Sequence, residues 1–289
     1  MPKKAVIAAA GLGTRLLSAT KEQPKEMLPL YTRNFQGRLS LKPMLQLIFE
    51  QIYDFGIRDF CFIVGRGKRA IEDHFTPDYY YEETLRNKKN IYLEESALEL
   101  ERFHSKLKHS SIFWVNQSPN LGFGHAVLQA QSHVANEDFF VFAGDTLIIS
   151  KRNGHLRRLV DCYTRENADA AFLVQSVKDP ENYGVVQGTS LSEVIDVKKV
   201  IEKPSAPDSD MAIMPVYIFK NDIFSHLSKL NPDHRNEIQL TDAIGSILIN
   251  GKVVATEVRQ DELRLDIGTP ETYFKAQVES FNHALSKNR

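Results

Sequence analysis

A loop of small residues followed by three cationic side chains opens the chain, in the stretch AVIAAAGLGTRLLSATKEQPKEMLP at residues 5–29. Small residues let backbone N–H groups come close to a ligand, and neighbouring N–H groups in a turn can form an anion-binding concavity. Arg15 offers a fork of donors that suits phosphate oxygens, while Lys21 and Lys25 act as mobile point charges. The pattern favours a polyphosphate site, and the alternative is a tight strand-to-helix turn with exposed basic residues.

Neither of the two common glycine patterns for phosphate binding fits this loop. The dinucleotide pattern needs a third glycine for close helix packing, but this chain has Leu16 there, after Gly11 and Gly13. It also needs an acid at the end of a second strand about 20 residues further on, where this chain has the irregular stretch YTRNFQGRLS. No Gly-Lys-Ser/Thr sequence follows to make a P-loop. An oxidoreductase is therefore disfavoured.

Strands and helices alternate in the part of the chain that must position this loop. Short apolar runs predict buried strands in KAVIAA, DFCFIV, SIFWV and FFVFAGD. Helices are predicted between them at residues 43–55, where Gly56 provides a stop, in GKRAIEDHF and in HAVLQAQSHV. This alternation predicts a parallel sheet with helices on both faces. Further on, DAAFLVQSV, YGVVQ, VIDVKKVIEK and MAIMPVYIF predict mixed or antiparallel strands that extend the sheet, followed by more helices.

Composition and charge exclude several classes of protein. Lys plus Arg number 36 and Asp plus Glu number 37, so any anion site must be local, and a DNA-binding protein is disfavoured. No apolar run approaches the roughly 20 residues that span a bilayer, and glycine interrupts the N-terminus too early for a signal peptide. We therefore expect a cytoplasmic protein. Cys61 and Cys162 have no metal-binding or redox spacing and are predicted to be buried thiols.

Two charged segments are most simply interpreted as solvated surface. Residues 79–109 carry both signs of charge, with leucines spaced for a surface helix. His104 and His109 flank the end of that helix and are expected to be exposed, and the nine histidines show no metal-ligand spacing. The basic residues Arg66, Lys68 and Arg69 are expected to lie on the surface at the start of a helix.

Seven motifs follow one another along nearly the whole chain: AAGLGTRLLSATKEQPKEMLPL, NLGFGHAV, AGDTLI, YGVV, VIEKP, EIQLTDAI and DIGTPETY. Together they resemble the sugar-phosphate nucleotidyltransferases, and in particular the bacterial-type UTP–glucose-1-phosphate uridylyltransferases. The charged segment YYYEETLRNKKNIYLEESALELERF also resembles the helical insertion of the uridylyltransferases, which the thymidylyltransferases lack.

The resemblance implies an α/β fold with a Rossmann-like mixed, mostly parallel sheet flanked by helices, and an active site above the carboxyl ends of its strands. It implies one nucleotidyltransferase domain over residues 1–289, with a helical insertion near 76–109 and a C-terminal helical segment near 268–289. The implied reaction joins UTP and glucose 1-phosphate to give UDP-glucose and pyrophosphate, with Mg²⁺ as cofactor and no covalent intermediate. It also implies a homo-oligomer, a dimer or a tetramer, with no nucleic-acid or membrane partner.

The resemblance also assigns roles to individual positions of this chain. The implied nucleotide-binding residues are Ala9, Ala10, Gly11, Gly13, Thr14, Gln117 and Gly122, the last two at the uracil edge. The implied catalytic cations are Arg15, Lys25 and Lys203. The implied sugar-binding residues are Gly184, Glu202, Lys203 and Val216, and the implied magnesium ligands are Asp145 and Asp266.

Elementary chemistry suits these assignments. Attack of one phosphate on another mainly needs positioning and neutralisation of charge. Asp145 and Asp266 each follow a predicted strand, and Mg²⁺ is commonly held by one or two carboxylates together with water. For either acid alone, a helix cap or a turn is the alternative interpretation.

Four departures from the family pattern leave the exact substrates open. The chain has AAAG where the bacterial enzymes usually have Pro-Ala-Ala-Gly, and FAGD where they have Leu-Pro-Asp, which is closer to the thymidylyl relatives. The stretch Met214–Val216 replaces a Val-Gly-Arg-like sequence on the sugar side, and the stretch before Pro43 is longer than the usual turn. Alternatives are therefore a thymidylyl or broad-specificity sugar-1-phosphate nucleotidyltransferase, or a non-catalytic sugar-nucleotide-binding regulator.

Overall fold

The structure, a computed structural model, describes residues 1–88 and 90–286. The strands are β1 (Lys4–Ala8), β2 (Pro29–Arg33), β3 (Leu39–Pro43), β4 (Asp59–Val64), β5 (Ser111–Asn116), β6 (Phe139–Ala143), β7 (Thr146–Ile149), β8 (Ala170–Ser176), β9 (Gly184–Leu191), β10 (Val194–Glu202), β11 (Met211–Phe219), β12 (Val253–Glu257) and β13 (Leu263–Asp266). The helices are α1 (Met44–Phe55), α2 (Arg69–His74), α3 (Tyr79–Arg86), α4 (Ile91–Lys108), α5 (Gly122–Leu128), α6 (Gln131–Val134), α7 (Gly154–Arg165), α8 (Ile223–Leu227), α9 (Leu240–Ile247) and α10 (Pro270–Ser286). None of these described helices has the length and apolar character needed to cross a membrane.

A nine-stranded mixed sheet forms the centre of the fold, with strand order β5-β4-β1-β6-β11-β8-β12-β10-β9. The pairs β4–β5, β1–β4, β1–β6 and β8–β12 are parallel. Among the described strands of this sheet, β10 and β11 run opposite to the other seven, because their ladders to β9, β12, β6 and β8 are antiparallel. The predicted α/β fold, with a mixed and mostly parallel sheet, is confirmed.

Both faces of the sheet are buried, which explains why its central strands have continuous apolar sequences rather than alternating ones. On β6, Phe140 and Phe142 pack into one core cluster, while Phe139 and Val141 pack into the other on the opposite face. The two cysteines belong to these clusters and are buried free thiols, as predicted.

The carboxyl ends of the parallel strands bring several loops to one edge of the sheet. Ala8, the last residue of β1, lies opposite both Ile63 of β4 and Ala143 of β6, so the loops that follow these strands are neighbours. Gly65 and Gly144 let the loops after β4 and β6 come close to the backbone at the end of β1. A Cβ on Gly65 would lie 3.1 Å from the carbonyl oxygen of Ala10, and a Cβ on Gly144 would lie 3.1 Å from that of Ala8. The loop of small residues around Gly11 therefore lies next to the loops after β4 and β6.

Two small sheets flank the main one. Strands β7 and β13 pair antiparallel, which sets Thr146 opposite Asp266. Strands β2 and β3 pair antiparallel as well, in the stretch that the sequence analysis described as irregular. Helix α10 packs on β2, where the Tyr31 ring meets the Phe281 ring edge-on at a centroid distance of 5.2 Å.

Helices α3 and α4 lie within residues 76–109, and α10 begins within the predicted C-terminal segment, of which residues 287–289 lie outside the described residues. The predicted helix over HAVLQAQSHV is wrong in its bounds: α5 begins earlier, at Gly122, and α6 is a separate short helix. Two surface predictions are also wrong. His104 is buried against Glu82 of α3, and Lys68 is buried in an ion pair with Glu26.

Candidate active site

A cleft with a volume of about 550 Å³ lies at the carboxyl edge of the sheet. Most of the residues singled out from the sequence meet there, although they come from distant parts of the chain. Those that line it are Ala10, Gly11, Thr14, Arg15, Lys25, Gln117, Gly122, Asp145, Gly184, Glu202, Lys203 and Asp266.

Asp145 and Asp266 face the cleft side by side. The β7–β13 ladder sets them together, because Asp145 directly precedes β7 and Asp266 ends β13. The hydroxyl oxygen of Thr146 lies 3.4 Å from Oδ1 of Asp145 and 3.2 Å from Oδ1 of Asp266. One hydroxyl thus reaches both carboxylates.

The two carboxylates differ in their electrostatic environment. Burial opposes the ionisation of Asp145, but the adjacent ammonium of Lys25 outweighs it and holds the pKa of Asp145 below its usual range. Burial and then the charge of Asp145 raise the pKa of Asp266. At Asp266, burial and the neighbouring carboxylate therefore outweigh the opposite effect of the Arg264 guanidinium.

Lys25 projects from the short helical turn Lys25–Met27 and donates a hydrogen bond to Oδ2 of Asp145. Burial alone would lower the pKa of Lys25, but Asp145 and Glu26 raise it above the ordinary value. Arg15 lies on the same side, since a Cβ built on Gly268 would be 2.9 Å from Oδ2 of Asp266 and 3.5 Å from a guanidinium nitrogen of Arg15. Two cations thus stand beside the two acids.

The opening loop contributes backbone as well as charge to the cleft. Gly13 has a left-handed φ of 66°, and a Cβ there would lie 3.2 Å from Cβ of Thr20, whose hydroxyl donates to the Gly13 carbonyl. Ala9 is fully buried, and its N–H donates to the carbonyl of Ile63, so it lies beneath the described lining of the cleft. Lys21 is 76% exposed beside Glu22 and does not line the cleft among the described residues.

Gln117 and Gly122 lie at one end of the cleft. The Gln117 side chain is 4% exposed, and its Nε2 donates to the carbonyl of Gly122 at 2.9 Å. Gly122 has a φ of 90°, and a Cβ there would lie 2.9 Å from Cβ of Glu237. In this part of the cleft the backbone at Gly122 therefore packs closely against Glu237, and the side-chain amide of Gln117 forms part of the wall.

Gly184, Glu202 and Lys203 form a second group in the cleft lining. Oε2 of Glu202 accepts from the hydroxyl of Thr241 at 2.7 Å, and a Cβ on Gly184 would lie 3.2 Å from the same oxygen. The backbone of Lys203 is left-handed, with a φ of 42°, and its Nζ is 3.3 Å from Oε1 of Glu202. Lys203 thus places a cation in the cleft beside a carboxylate.

Val216 does not join this group among the described residues. It is 3% exposed and packs in the core cluster on the face of the sheet that also buries Met214. Side chains alternate between the two faces of the sheet along β11, and Met214, Pro215 and Tyr217 of this strand line the cleft. The side chain of Val216, which the resemblance assigned to the sugar pocket, therefore lies in the core and not in the described lining of the cleft.

Two features of the site escaped the sequence analysis. Arg264 donates to the sulfur of Met214 at 2.9 Å, and its guanidinium lies 5.4 Å from the centre of the Tyr183 ring in the cleft wall. Alternation along β13 could have indicated it, because Arg264 and Asp266 point to the same side of the strand. The ion pair of Glu26 and Lys68, at 2.7 Å, lies directly behind Lys25 and joins residues 42 positions apart, which no local pattern reveals.

The oxygen donors of the cleft suit a divalent cation of the hard type. Within residues 1–88 and 90–286, no group of three or more His, Cys, Asp or Glu side chains is placed to hold a metal ion. Mg²⁺ needs fewer, since it is usually bound through one or two carboxylates together with water and substrate phosphates. Asp145 and Asp266 supply that number, and the hydroxyl of Thr146 lies within reach of both carboxylates.

The chain is similar to known proteins over nearly its whole length. The family model described as nucleotidyl transferase matches residues 4–282. The UTP–glucose-1-phosphate uridylyltransferase YngB of Bacillus subtilis is 38% identical over 282 residues, which cover 96% of this chain and 89% of the relative.

Two solved structures with similar folds contain bound UDP-glucose or UTP. A UDP-glucose pyrophosphorylase complexed with UDP-glucose matches with a TM-score of 0.82 and 30% identity, covering 98% of this chain and 100% of that one. A UTP-bound enzyme of the same type from Acinetobacter baumannii matches with a TM-score of 0.81 and 31% identity, covering 96% and 93%.

Proposed function

The chain belongs to the nucleotidyl transferase family, and from that premise we propose that it transfers the uridylyl group of UTP to glucose 1-phosphate, giving UDP-glucose and pyrophosphate. One observation carries the proposal most directly. A single cleft holds two carboxylates, the cations Arg15, Lys25 and Lys203, and a buried amide at one end. A reaction between two anionic phosphates needs this combination of charges.

The chain's own residues act by binding and positioning. Backbone N–H groups near Gly11 and the guanidinium of Arg15 hold the triphosphate, while Lys25 neutralises charge at the phosphorus under attack. Lys203 holds the phosphate of the sugar at the other end of the cleft, so that its oxygen can attack in line. No covalent intermediate is needed, because attacking oxygen and leaving pyrophosphate can lie on opposite sides of one phosphorus.

Enzymes of this family typically use a divalent metal, and we propose Mg²⁺ held by Asp145 and Asp266. When bound, Mg²⁺ would neutralise charge that develops on the phosphate oxygens. Lys25 keeps Asp145 ionised for this role, because its ammonium donates a hydrogen bond to that carboxylate and lowers its pKa.

The two ends of the cleft account for the choice of nucleotide and sugar. Gln117 and Gly122 form the base end, and Glu202, with Thr241 donating to it, offers a carboxylate oxygen to sugar hydroxyls. Met214 and Arg264 line the sugar side, where the family pattern is not kept.

A substrate panel tests the proposal. Pyrophosphate release would be measured with UTP, dTTP, CTP and ATP against glucose 1-phosphate and other sugar 1-phosphates, with and without added Mg²⁺. We expect the highest kcat/KM for UTP with glucose 1-phosphate and loss of turnover when EDTA removes the metal. A preference for dTTP, or binding of UDP-glucose with no turnover of any pair, would contradict it.

We also propose a single nucleotidyltransferase domain that assembles as a homo-oligomer and acts in the cytoplasm, where UTP is made. Phe274, Val278, Phe281 and Leu285 are exposed along one side of α10 and support self-association. Light scattering across a range of protein concentrations measures the assembly, and a monomer at every concentration would contradict it.

A further inference from the structure

The side chain of Gln117 is held in one orientation by its neighbours. Its backbone N–H donates to the carbonyl of Val64 at 2.7 Å, and its Nε2 lies 2.9 Å from the carbonyl oxygen of Gly122. A carbonyl oxygen can only accept, so the amide end that faces Gly122 has to be the nitrogen. The amide oxygen of Gln117 must therefore point the other way.

The second hydrogen on this nitrogen identifies the state of a histidine. Nε2 of Gln117 also lies 3.1 Å from Nδ1 of His125, on helix α5. Because both hydrogens of the amide are donated, Nδ1 of His125 must be the unprotonated, accepting nitrogen of a neutral imidazole. Burial lowers the pKa of His125, which is consistent with that neutral form.

The outer nitrogen of the same ring has its own partner. A neutral imidazole that accepts at Nδ1 carries its proton on Nε2. The amide nitrogen of Gln129, one helical turn further along, lies 3.1 Å from that Nε2. Two N–H groups cannot share a hydrogen bond, so this tautomer requires the Gln129 amide to rotate by half a turn, which places its oxygen where it accepts the proton of Nε2.

The arrangement leaves one acceptor facing the cleft. Oε1 of Gln117 has no hydrogen-bond partner in the described parts of the chain, and Gln117 lines the cleft. Uracil carries an N–H between its two carbonyl groups, which this oxygen can accept. Cytosine has a bare ring nitrogen at the same place, and two facing lone pairs would repel.

We propose that His125, held by Gln129, is a positioning residue that turns the Gln117 oxygen toward the nucleotide and so selects a base with an N–H donor at that edge. The inference rests on the proposed function, because it needs a pyrimidine nucleotide in the cleft. Rotation of the Gln117 amide by half a turn would set its oxygen against both the Gly122 carbonyl and Nδ1 of His125. Removing either acceptor makes that rotation easier.

The test measures dissociation constants for UTP and CTP, each with Mg²⁺, by titration calorimetry on the full chain. In His125→Phe we expect the preference for UTP over CTP to fall by about tenfold, the effect of losing one well-made hydrogen bond. In His125→Asn the side-chain oxygen takes the place of Nδ1, so we expect the preference to stay within about threefold of the wild type. Gln129→Leu should shift the preference in the same direction as His125→Phe by about threefold, and it keeps the test decisive if the phenylalanine variant does not fold.

His133→Phe is the matched control. His133 lies on α6 with Nε2 2.9 Å from Oδ1 of Asp59, and it does not line the cleft in the described structure. We expect the UTP preference of this variant to be unchanged. An unchanged preference in folded His125→Phe and Gln129→Leu, or equal weakening of UTP and CTP, would overturn the inference. A wild type that binds neither nucleotide would overturn the proposed function and the inference with it.

Discussion

Asp145 and Asp266 share the reach of one hydroxyl group, that of Thr146, although one follows β6 and the other ends β13. The ammonium of Lys25 donates a hydrogen bond to the carboxylate of Asp145. Burial and the charge of Asp145 raise the pKa of Asp266. The fold therefore holds two carboxylates close together, with the ammonium of Lys25 beside one of them.

Replacement of Asp145 by Asn should reduce turnover much more than substrate binding. We expect kcat to fall by at least about 100-fold, the effect of losing a group that stabilises charge in the transition state. Pyrophosphate release under saturating substrates measures it. Asp196→Asn is the control, because Asp196 lies on β10 beside Lys198 and not in the described lining of the cleft. Unchanged kcat in Asp145→Asn would remove Asp145 from the site.

The buried pair of Lys68 and Glu26 should be required for stability as a pair. Their side chains are 7% and 2% exposed, so Lys68→Met leaves an unpaired carboxylate in the interior. We expect the free energy of unfolding to fall by about 3–5 kcal/mol, the usual cost of breaking a buried ion pair on one side. Urea unfolding at neutral pH measures the loss.

The double variant Lys68→Met with Glu26→Gln separates the pair from its parts. It removes both charges, so we expect most of the lost stability to return. If the double variant is as unstable as the sum of the two single variants, the ion pair is not the cause.

The sequence predicted the framework of the site because the framework depends on local patterns. Continuous apolar runs identified β1, β4, β5 and β6, and parallel strands necessarily bring their carboxyl-end loops together. The loop around Gly11 and the acid after β6 could therefore be expected at one edge. The β7–β13 ladder could not, since four-residue strands with mixed polarity give little periodic signal.

The errors in predicted burial concern residues whose surroundings come from distant parts of the chain. Lys68 is buried only because Glu26 supplies a counter-charge, and His104 only because Glu82 on α3 meets it. Val216 is buried because its side of β11 packs against the core cluster that also contains Phe140 and Phe142 of β6. Burial of a polar group depends on its partner, and single-sequence patterns do not specify that partner.

We expect any side chain at Gly124 in helix α5 to destabilise the protein. A Cβ there would lie 2.6 Å from the carbonyl oxygen of Ile238 and 2.9 Å from the backbone nitrogen of Leu240. Gly124→Ala should therefore lower the free energy of unfolding by about 1–3 kcal/mol, because backbone must move apart. Since this contact also positions Gln117 and Gly122, we expect KM for UTP to rise. Thermal unfolding and steady-state kinetics measure the two effects.

Gly154→Ala is the matched control. Gly154 begins α7 with helical φ and ψ of −59° and −38°, and a Cβ there would meet no atom closer than 3.7 Å. We expect this variant to be as stable as the wild type or more stable by about 0.4–1 kcal/mol, because alanine restricts the unfolded chain. Equal losses in both variants would show that the close contact at Gly124 is not what matters.

His155 should make the protein less stable as the pH falls below neutrality. Its side chain is fully buried, with Nδ1 2.6 Å from the hydroxyl of Ser150, and burial lowers its pKa from 6.5 to about 4. Between these values the unfolded chain binds a proton that the folded chain does not, so the free energy of unfolding decreases as the pH falls through this window. The contribution of this one group amounts to about 3 kcal/mol by pH 4.

Removing the imidazole should therefore flatten the pH dependence. We expect His155→Asn, which keeps a polar atom near Ser150, to lose less stability than the wild type between pH 6.5 and 4.5 in urea unfolding. His74, whose pKa burial also lowers to about 4, contributes to the slope that remains. His109→Asn, at an exposed position, is the control for the substitution itself. If the free energy of unfolding of His155→Asn falls with pH as steeply as that of the wild type, the acid instability arises from other groups. The reason is that a buried imidazole that stays neutral in the folded chain stabilises the fold less as the pH falls.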